Sequence, residues 1–172
     1  MDLKRSIEII EDFPKKGISF KDITTLIRDG KTLKYTIDLI VDNLKNKNID
    51  LIVAPEARGF IFGMPVAYAL GIGFVPVRKK GKLPGKTIEV SYGLEYGKDT
   101  LEIHKDAFEN NPRVAIIDDL LATGGTIKAV ADLVEKAGGK VVELDFVIEL
   151  EKIGGRDVLK DYNVNSFVKY DV

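Results

Sequence analysis

The sequence predicts a single α/β domain with a mainly parallel central sheet flanked by helices. Two short apolar, β-branched runs, 49–54 (IDLIVA) and 114–117 (VAII), each pass through a turn into a helical stretch and then into a further apolar run, the order that builds parallel βαβ units. At 172 residues the chain is long enough for one substantial core. No linker, repeat or low-complexity tract divides it, so 1–172 reads as one domain.

The elements follow in order. Leu3, Ile7 and Ile10 recur at helical spacing and predict a short packed helix over 1–11, ending before the turn-rich stretch FPKKG at 13–17. Over 31–46, Leu33, Ile37, Ile40, Val41 and Leu44 share one face, predicting an amphipathic helix. The run 49–54 predicts a strand covered on both faces, which stops at PEARG, 55–59. A helix over 60–70 is closed by Gly71, and 74–77 (FVPV) is the next strand. The Gly- and Lys-rich stretch 78–97 predicts a mobile excursion from the sheet, with a hairpin near 88–103. The second unit comprises the strand 114–117, a polar Gly-rich turn over 118–125, a helix over 126–137 burying Ile127, Val130, Val134 and Ala137, a stop at Gly138 and Gly139, and a strand over 141–150.

Composition narrows the function classes. Hydrophobic residues at 45% and charged residues at 31% argue against disorder, and 26 basic against 27 acidic side chains leave no global positive field for nucleic acid or anionic lipid. Without Cys, disulfides, thiolate metal sites and cysteine nucleophiles are excluded, and a single His, His104, leaves little for imidazole chemistry. No apolar run reaches the roughly 18 residues of a membrane span, and MDLKRSIEII lacks the apolar centre of a signal peptide. A cytoplasmic protein with neither membrane nor nucleic-acid partners is the expectation.

The segment that carries chemistry is VAIIDDLLATGGTIKA, 114–129. A buried strand delivers Asp118 and Asp119 to the carboxyl end of the sheet, where open α/β folds place their ligands. The turn Ala122, Thr123, Gly124, Gly125, Thr126 then enters a helix, and main-chain N–H groups at a helix start form a cradle for phosphate. Paired carboxylates repel phosphate and suit hydrogen-bond donors instead, such as sugar hydroxyls with or without a magnesium ion. An Asp pair or a Gly turn alone is more often structural; their combination on a strand–loop–helix unit is what weighs. Two further patterns fail. GKLPGKT at 81–87 has one residue too few for a Walker A loop, and Gly71-Ile72-Gly73 has Pro76 where a third glycine would stand. The basic cluster Arg78, Lys79, Lys80, Lys82 and Lys86 is either solvated surface or an anion site.

The segment 114–129 resembles the phosphoribosyl pyrophosphate (PRPP) motif of type I phosphoribosyltransferases, and DDLLATGGT resembles the form found in their adenine-specific members. FPKKGISFKDIT, APEARGFIFGMPVA, GFVPVRKKGKLPGKTIEVSYGLEYG and LEIHKDA extend the resemblance over nearly the whole chain. It implies the type I phosphoribosyltransferase fold, with an N-terminal hood segment at about 1–30 and a lid at about 78–100. It also implies transfer of the 5-phosphoribosyl group of PRPP to adenine, giving AMP and pyrophosphate, with Mg2+ as cofactor held mainly by PRPP oxygens near Asp118 and Asp119 and with no direct protein ligand, and a homodimer. By the same resemblance Asp118 and Asp119 hold the ribose, and 122–126 the 5′-phosphate. Arg58, Arg78, Lys79 and Lys82 meet pyrophosphate, some across a dimer interface, with Tyr96 also on the PRPP or AMP side. Ser19, Phe20 and Lys21, with Arg58, bind the base, Phe20 by stacking and its neighbours through main-chain groups; Lys21 stands where Arg is commoner. Glu95 is the acid/base partner of the purine, and a cis peptide is expected between Glu56 and Ala57. Lys80 replaces a common Pro, and His104 is given a structural or surface role. A different purine, or a non-catalytic PRPP-binding regulator, is the alternative.

Overall fold

The protein is described over residues 1–94 and 96–172 from a computed structural model. A 3₁₀ turn at Leu3–Ser6 leads into β1 (Glu8–Ile10), which pairs antiparallel with β2 (Phe20–Asp22). Then follow α1 (Thr24–Arg28), α2 (Gly30–Leu44), β3 (Leu51–Pro55), α3 (Arg58–Leu70) and β4 (Gly73–Lys79). The hairpin β5 (Thr87–Gly93) and β6 (Lys98–His104) precedes β7 (Arg113–Leu121), α4 (Gly125–Lys136) and β8 (Lys140–Leu150). The chain ends in α5 (Gly155–Val158) and β9 (Val164–Tyr170).

Among the described residues, seven strands form the main sheet in the order β5-β6-β4-β3-β7-β8-β9. The run from β4 to β9 is parallel, and the hairpin adds an antiparallel edge through Arg78 opposite Glu102. β3 and β7 lie side by side, yet β3 connects outward through α3 to β4 and β7 connects the other way through α4 to β8. Parallel crossovers are right-handed, so connections leaving in opposite directions put their helices on opposite faces. The core is divided accordingly. Ile40, Leu44, Phe62 and Val66 pack with Ala115 and Ile117 on one face, while Ile127, Val130 and Leu133 pack with Val114 and Ile116 on the other. The gap where the two connections diverge opens at the carboxyl ends of β3 and β7 and forms the crevice of such sheets.

The predicted α/β architecture is observed, with three local differences. The first eleven residues form a 3₁₀ turn and a strand, because Leu3 and Ile7 are buried while Ile9 and Ile10 point outward from a two-stranded ribbon. Asp118 and Asp119 lie within β7 rather than in a turn, since Leu120 and Leu121 continue the ladder opposite Ile148 and Glu149. α2 buries Thr32 and Thr36 beside Ile37 and Ile40, while Leu33 and Val41 are half-buried; each threonine hydroxyl donates to a main-chain carbonyl, Leu26 and Thr32 respectively, which makes its burial tolerable. Among the described residues no helix is long and apolar enough to cross a membrane.

Candidate active site

A cavity of about 300 Å³ occupies the crevice. Its lining comes from 56–58, at the end of β3 and the start of α3, and from the tail of β7 with the loop into α4. Close approach of the two is possible because residue 59 has no side chain: a Cβ there would sit 3.0 Å from Pro55 Cδ, 3.1 Å from the Ile117 carbonyl and 3.2 Å from Asp118 Oδ1. The peptide between Glu56 and Ala57 is cis, as the resemblance implies.

The two acids are held differently. Asp118 is half-buried and accepts the Asp119 N–H at 2.9 Å; Asp119 is 4% exposed and pairs with Arg58 at 3.0 Å. Burial, reinforced by the charge of Asp119, pushes the Asp118 carboxyl well above the usual carboxylate range. Burial also raises Asp119, with Arg58 opposing it. Asp118, with no cation paired to it, is therefore the acid short of compensating donors or charge, which neutral hydroxyls or a cation would supply.

Beyond them the chain turns at 122–124. Gly124 takes a left-handed conformation, φ +82°, and α4 begins without any side-chain cap; the first amides of a helix have no intrahelical partner, and Thr123, Gly124, Thr126 and Ile127 at this start line the cavity. With the helix dipole, this suits an anion.

Arg58 also connects this region to the N-terminal ribbon. Its guanidinium carbon is 5.9 Å from the Phe20 ring centroid, and Phe20 meets Phe13 edge-on at 5.2 Å. Ser19 Oγ donates to Glu11, while the Lys21 ammonium donates to the Ser19 carbonyl and hydroxyl and lies 4.9 Å from the Tyr170 ring. The Lys21 side chain is thus directed into the protein, leaving only its main chain for a ligand.

The structure joins Arg58, Asp118, Asp119 and the loop 122–126 around one cavity, with Phe20 adjoining through Arg58. Arg78 and Lys79 do not line it; they reach Glu56, which does, through an Arg78 contact at 3.3 Å and the Lys79 N–H at 2.8 Å. Against the opposing effect of burial, the Lys79 amide and Arg78 hold the Glu56 carboxyl below its usual range. Lys82 and Tyr96 are exposed and stand apart from the cavity, and Glu95 lies outside the described residues. His104 Nε2 bonds the Pro84 carbonyl at 3.0 Å, in keeping with a structural role.

Two residues that the sequence reading passes over organise the rim. Glu102, 4% exposed, accepts the N–H groups of Gly81 and Leu83 and the Thr87 hydroxyl, fixing the turn that carries Lys82. Tyr92 on β5 brings its hydroxyl to 3.4 Å from Thr126 Oγ1, so the hairpin touches the loop.

Residues 36–170 match the family described as phosphoribosyl transferase domain. The chain belongs to the phosphoribosyl transferase family. Within that family it is 66% identical, over the full length of both chains, to an adenine phosphoribosyltransferase of Clostridium beijerinckii. It superposes with a TM-score of 0.94 on the adenine phosphoribosyltransferase of Thermoanaerobacter pseudethanolicus, at 55% identity and covering 98% of each chain. The Saccharomyces cerevisiae adenine phosphoribosyltransferase, solved with adenine and an imino-altritol bisphosphate, matches with a TM-score of 0.92 at 40% identity, covering 96% of each.

Proposed function

We infer that this phosphoribosyl transferase uses adenine as acceptor: adenine and PRPP give AMP and pyrophosphate, a purine-salvage step. The observation that carries the reading is the single cavity in which paired acids on β7 stand beside the uncapped start of α4, in a chain 66% identical to an adenine phosphoribosyltransferase.

Asp118 and Asp119 accept hydrogen bonds from the two ribose hydroxyls, and the loop 122–126 grips the 5′-phosphate with main-chain N–H groups and the hydroxyls of Thr123 and Thr126. Arg58 faces the leaving pyrophosphate and the base. Arg78, Lys79 and Lys82 add positive charge on the pyrophosphate side, within a chain or across a homodimer. Departure of pyrophosphate leaves oxocarbenium-like charge on the anomeric carbon, so holding the leaving group and positioning N9 of adenine lower the barrier. Phe20 stacks on the base, with main-chain groups of Ser19 and Lys21 at its edge. Glu95 takes the N9 proton or stabilises the purine as it attacks, and Tyr96 accompanies it on the segment 78–100, which acts as a lid excluding water while 1–30 forms the hood.

The donor set fits magnesium carried in with substrate. Of the acids lining the cavity among the described residues, Glu56 is engaged by Arg78 and Lys79 and Asp119 by Arg58, leaving Asp118 as the oxygen donor that needs compensating charge. When bound, magnesium supplies charge neutralisation to pyrophosphate oxygens. A cytoplasmic setting suits these substrates.

A pyrophosphate-release assay with PRPP, magnesium and a panel of purines tests the reading. Release with adenine and far less with hypoxanthine, guanine or xanthine is expected; preference for another base, or no release with any, contradicts it.

A further inference from the structure

The loop that grips phosphate is backed by a second turn from the far end of the chain. A Cβ on Gly124 would lie 2.8 Å from the Gly155 carbonyl and 3.2 Å from Val158 Cβ. Conversely, one on Gly155 would overlap the Ala122 carbonyl and stand 2.7 Å from Leu121 Cδ1. Main chain therefore approaches main chain closely here, with Val158 and Leu121 packed beside the contact. The loop has no side-chain cap of its own, and its left-handed Gly124 lies directly against this turn.

The turn is in turn pinned by Arg156. Its Nε and Nη2 donate to the two oxygens of Glu149 at 2.6 and 2.8 Å, Nη1 donates to the Val164 carbonyl at 2.9 Å, and Nη2 reaches Ser166 Oγ at 3.2 Å. Glu149 is 3% exposed at the end of β8, and Ser166 also donates to it. One guanidinium thus ties α5 to both β8 and β9, a fork that an ammonium cannot reproduce.

We propose that Arg156, through the turn it anchors, is a positioning residue for the 5′-phosphate: it sets the floor on which the loop 122–126 rests, without touching substrate. The proposal rests on the phosphate assignment above. Shifting a binding loop by a fraction of an ångström weakens the contacts it makes while leaving the opposite end of the site intact.

The test uses Arg156→Lys and Gly155→Ala, with Thr126→Ala as the reference for the phosphate site, each checked by circular dichroism and melting. Steady-state KM for PRPP and for adenine, kcat, and the Kd of ribose 5-phosphate by calorimetry are measured. Arg156→Lys and Gly155→Ala are expected to raise both PRPP KM and ribose 5-phosphate Kd by about tenfold or more, with adenine KM and kcat changing less than about twofold. If Arg156→Lys does not fold, Glu149→Gln, which weakens the fork while keeping the shape of its acceptor, decides by the same criterion. Equal effects on adenine and PRPP, or no effect on ribose 5-phosphate when Thr126→Ala does weaken it, overturn the proposal and leave the site standing. No effect from any of the three removes the phosphate assignment and the proposal with it.

Discussion

Arg58 Nε lies 3.0 Å from Asp119 Oδ2, so the first residue of α3 and the second acid of β7 meet across the crevice between their strands. The same guanidinium faces Phe20. One cation therefore joins the N-terminal ribbon to the acids of β7. Replacing it by Gln leaves Asp119 buried without its opposing charge, and its carboxyl rises further. We expect kcat/KM for PRPP to fall by tenfold or more, about 1.4 kcal/mol, with the largest loss at the acid end of the pH profile. A profile identical to the parent's from pH 6 to 9 contradicts this.

Asp118 and Asp119 both titrate above their ordinary range. The folded protein then binds their protons more tightly than the unfolded chain does, so stability is fullest below about pH 4 and declines as pH rises through the raised values. Replacing both with Asn removes that decline. The double variant should melt higher than the parent at pH 8 yet bind ribose 5-phosphate at least about tenfold more weakly, since neutral amides accept hydroxyl protons less strongly. Calorimetry showing unchanged affinity sinks the ribose assignment.

Asp145, fully buried on β8, receives the side-chain amides of Asn43 at 2.9 Å and Asn165 at 2.9 Å, with Glu143 and Lys47 alongside. Burial pushes its carboxyl up to about 6, against the pull of the two amides. By the same sign, folding stability drops as pH climbs from about 4 past 6, by roughly 3 kcal/mol at most. Asp145→Asn keeps an oxygen for both amides, so urea unfolding should show a gain of about 1–3 kcal/mol at pH 8 and little at pH 4. A pH-independent difference speaks against it.

Phe20 offers its ring beside Arg58, and stacking on a base contributes about 1–3 kcal/mol. Phe20→Leu should raise adenine KM about tenfold while leaving PRPP KM within twofold. Parallel increases in both constants point to a collapsed ribbon instead.

Glu95→Gln should lower kcat by about 10²- to 10⁴-fold, the range of a positioned acid or base, with ribose 5-phosphate affinity unchanged. Near-normal turnover takes Glu95 out of the chemistry.

Much of this was legible in the sequence because both crossover units are local: strand, loop and helix follow one another, and apolar periodicity names each. The acids of 118–119 and the loop 122–126 inherit their placement from that order. Periodicity was misleading at 1–11, where Leu3, Ile7 and Ile10 match a helix but Ile10 sits exposed on a ribbon. β9 carried a signal in the alternation Val164, Ser166, Val168, Tyr170, though its parallel partner β8 is reached only after a turn. Glu56, Glu102 and Arg156 work through partners 7 to 23 positions away, and no spacing rule points to those pairings.

Because the strand bearing the acids is also flanked on both edges and covered on both faces, losing it means losing the whole structure. Occupancy of the crevice and global unfolding are consequently linked. A nucleotide present at a hundred times its Kd adds about 2.7 kcal/mol to the free energy of unfolding. Inhibitors can be ranked by how far they delay melting, without following turnover.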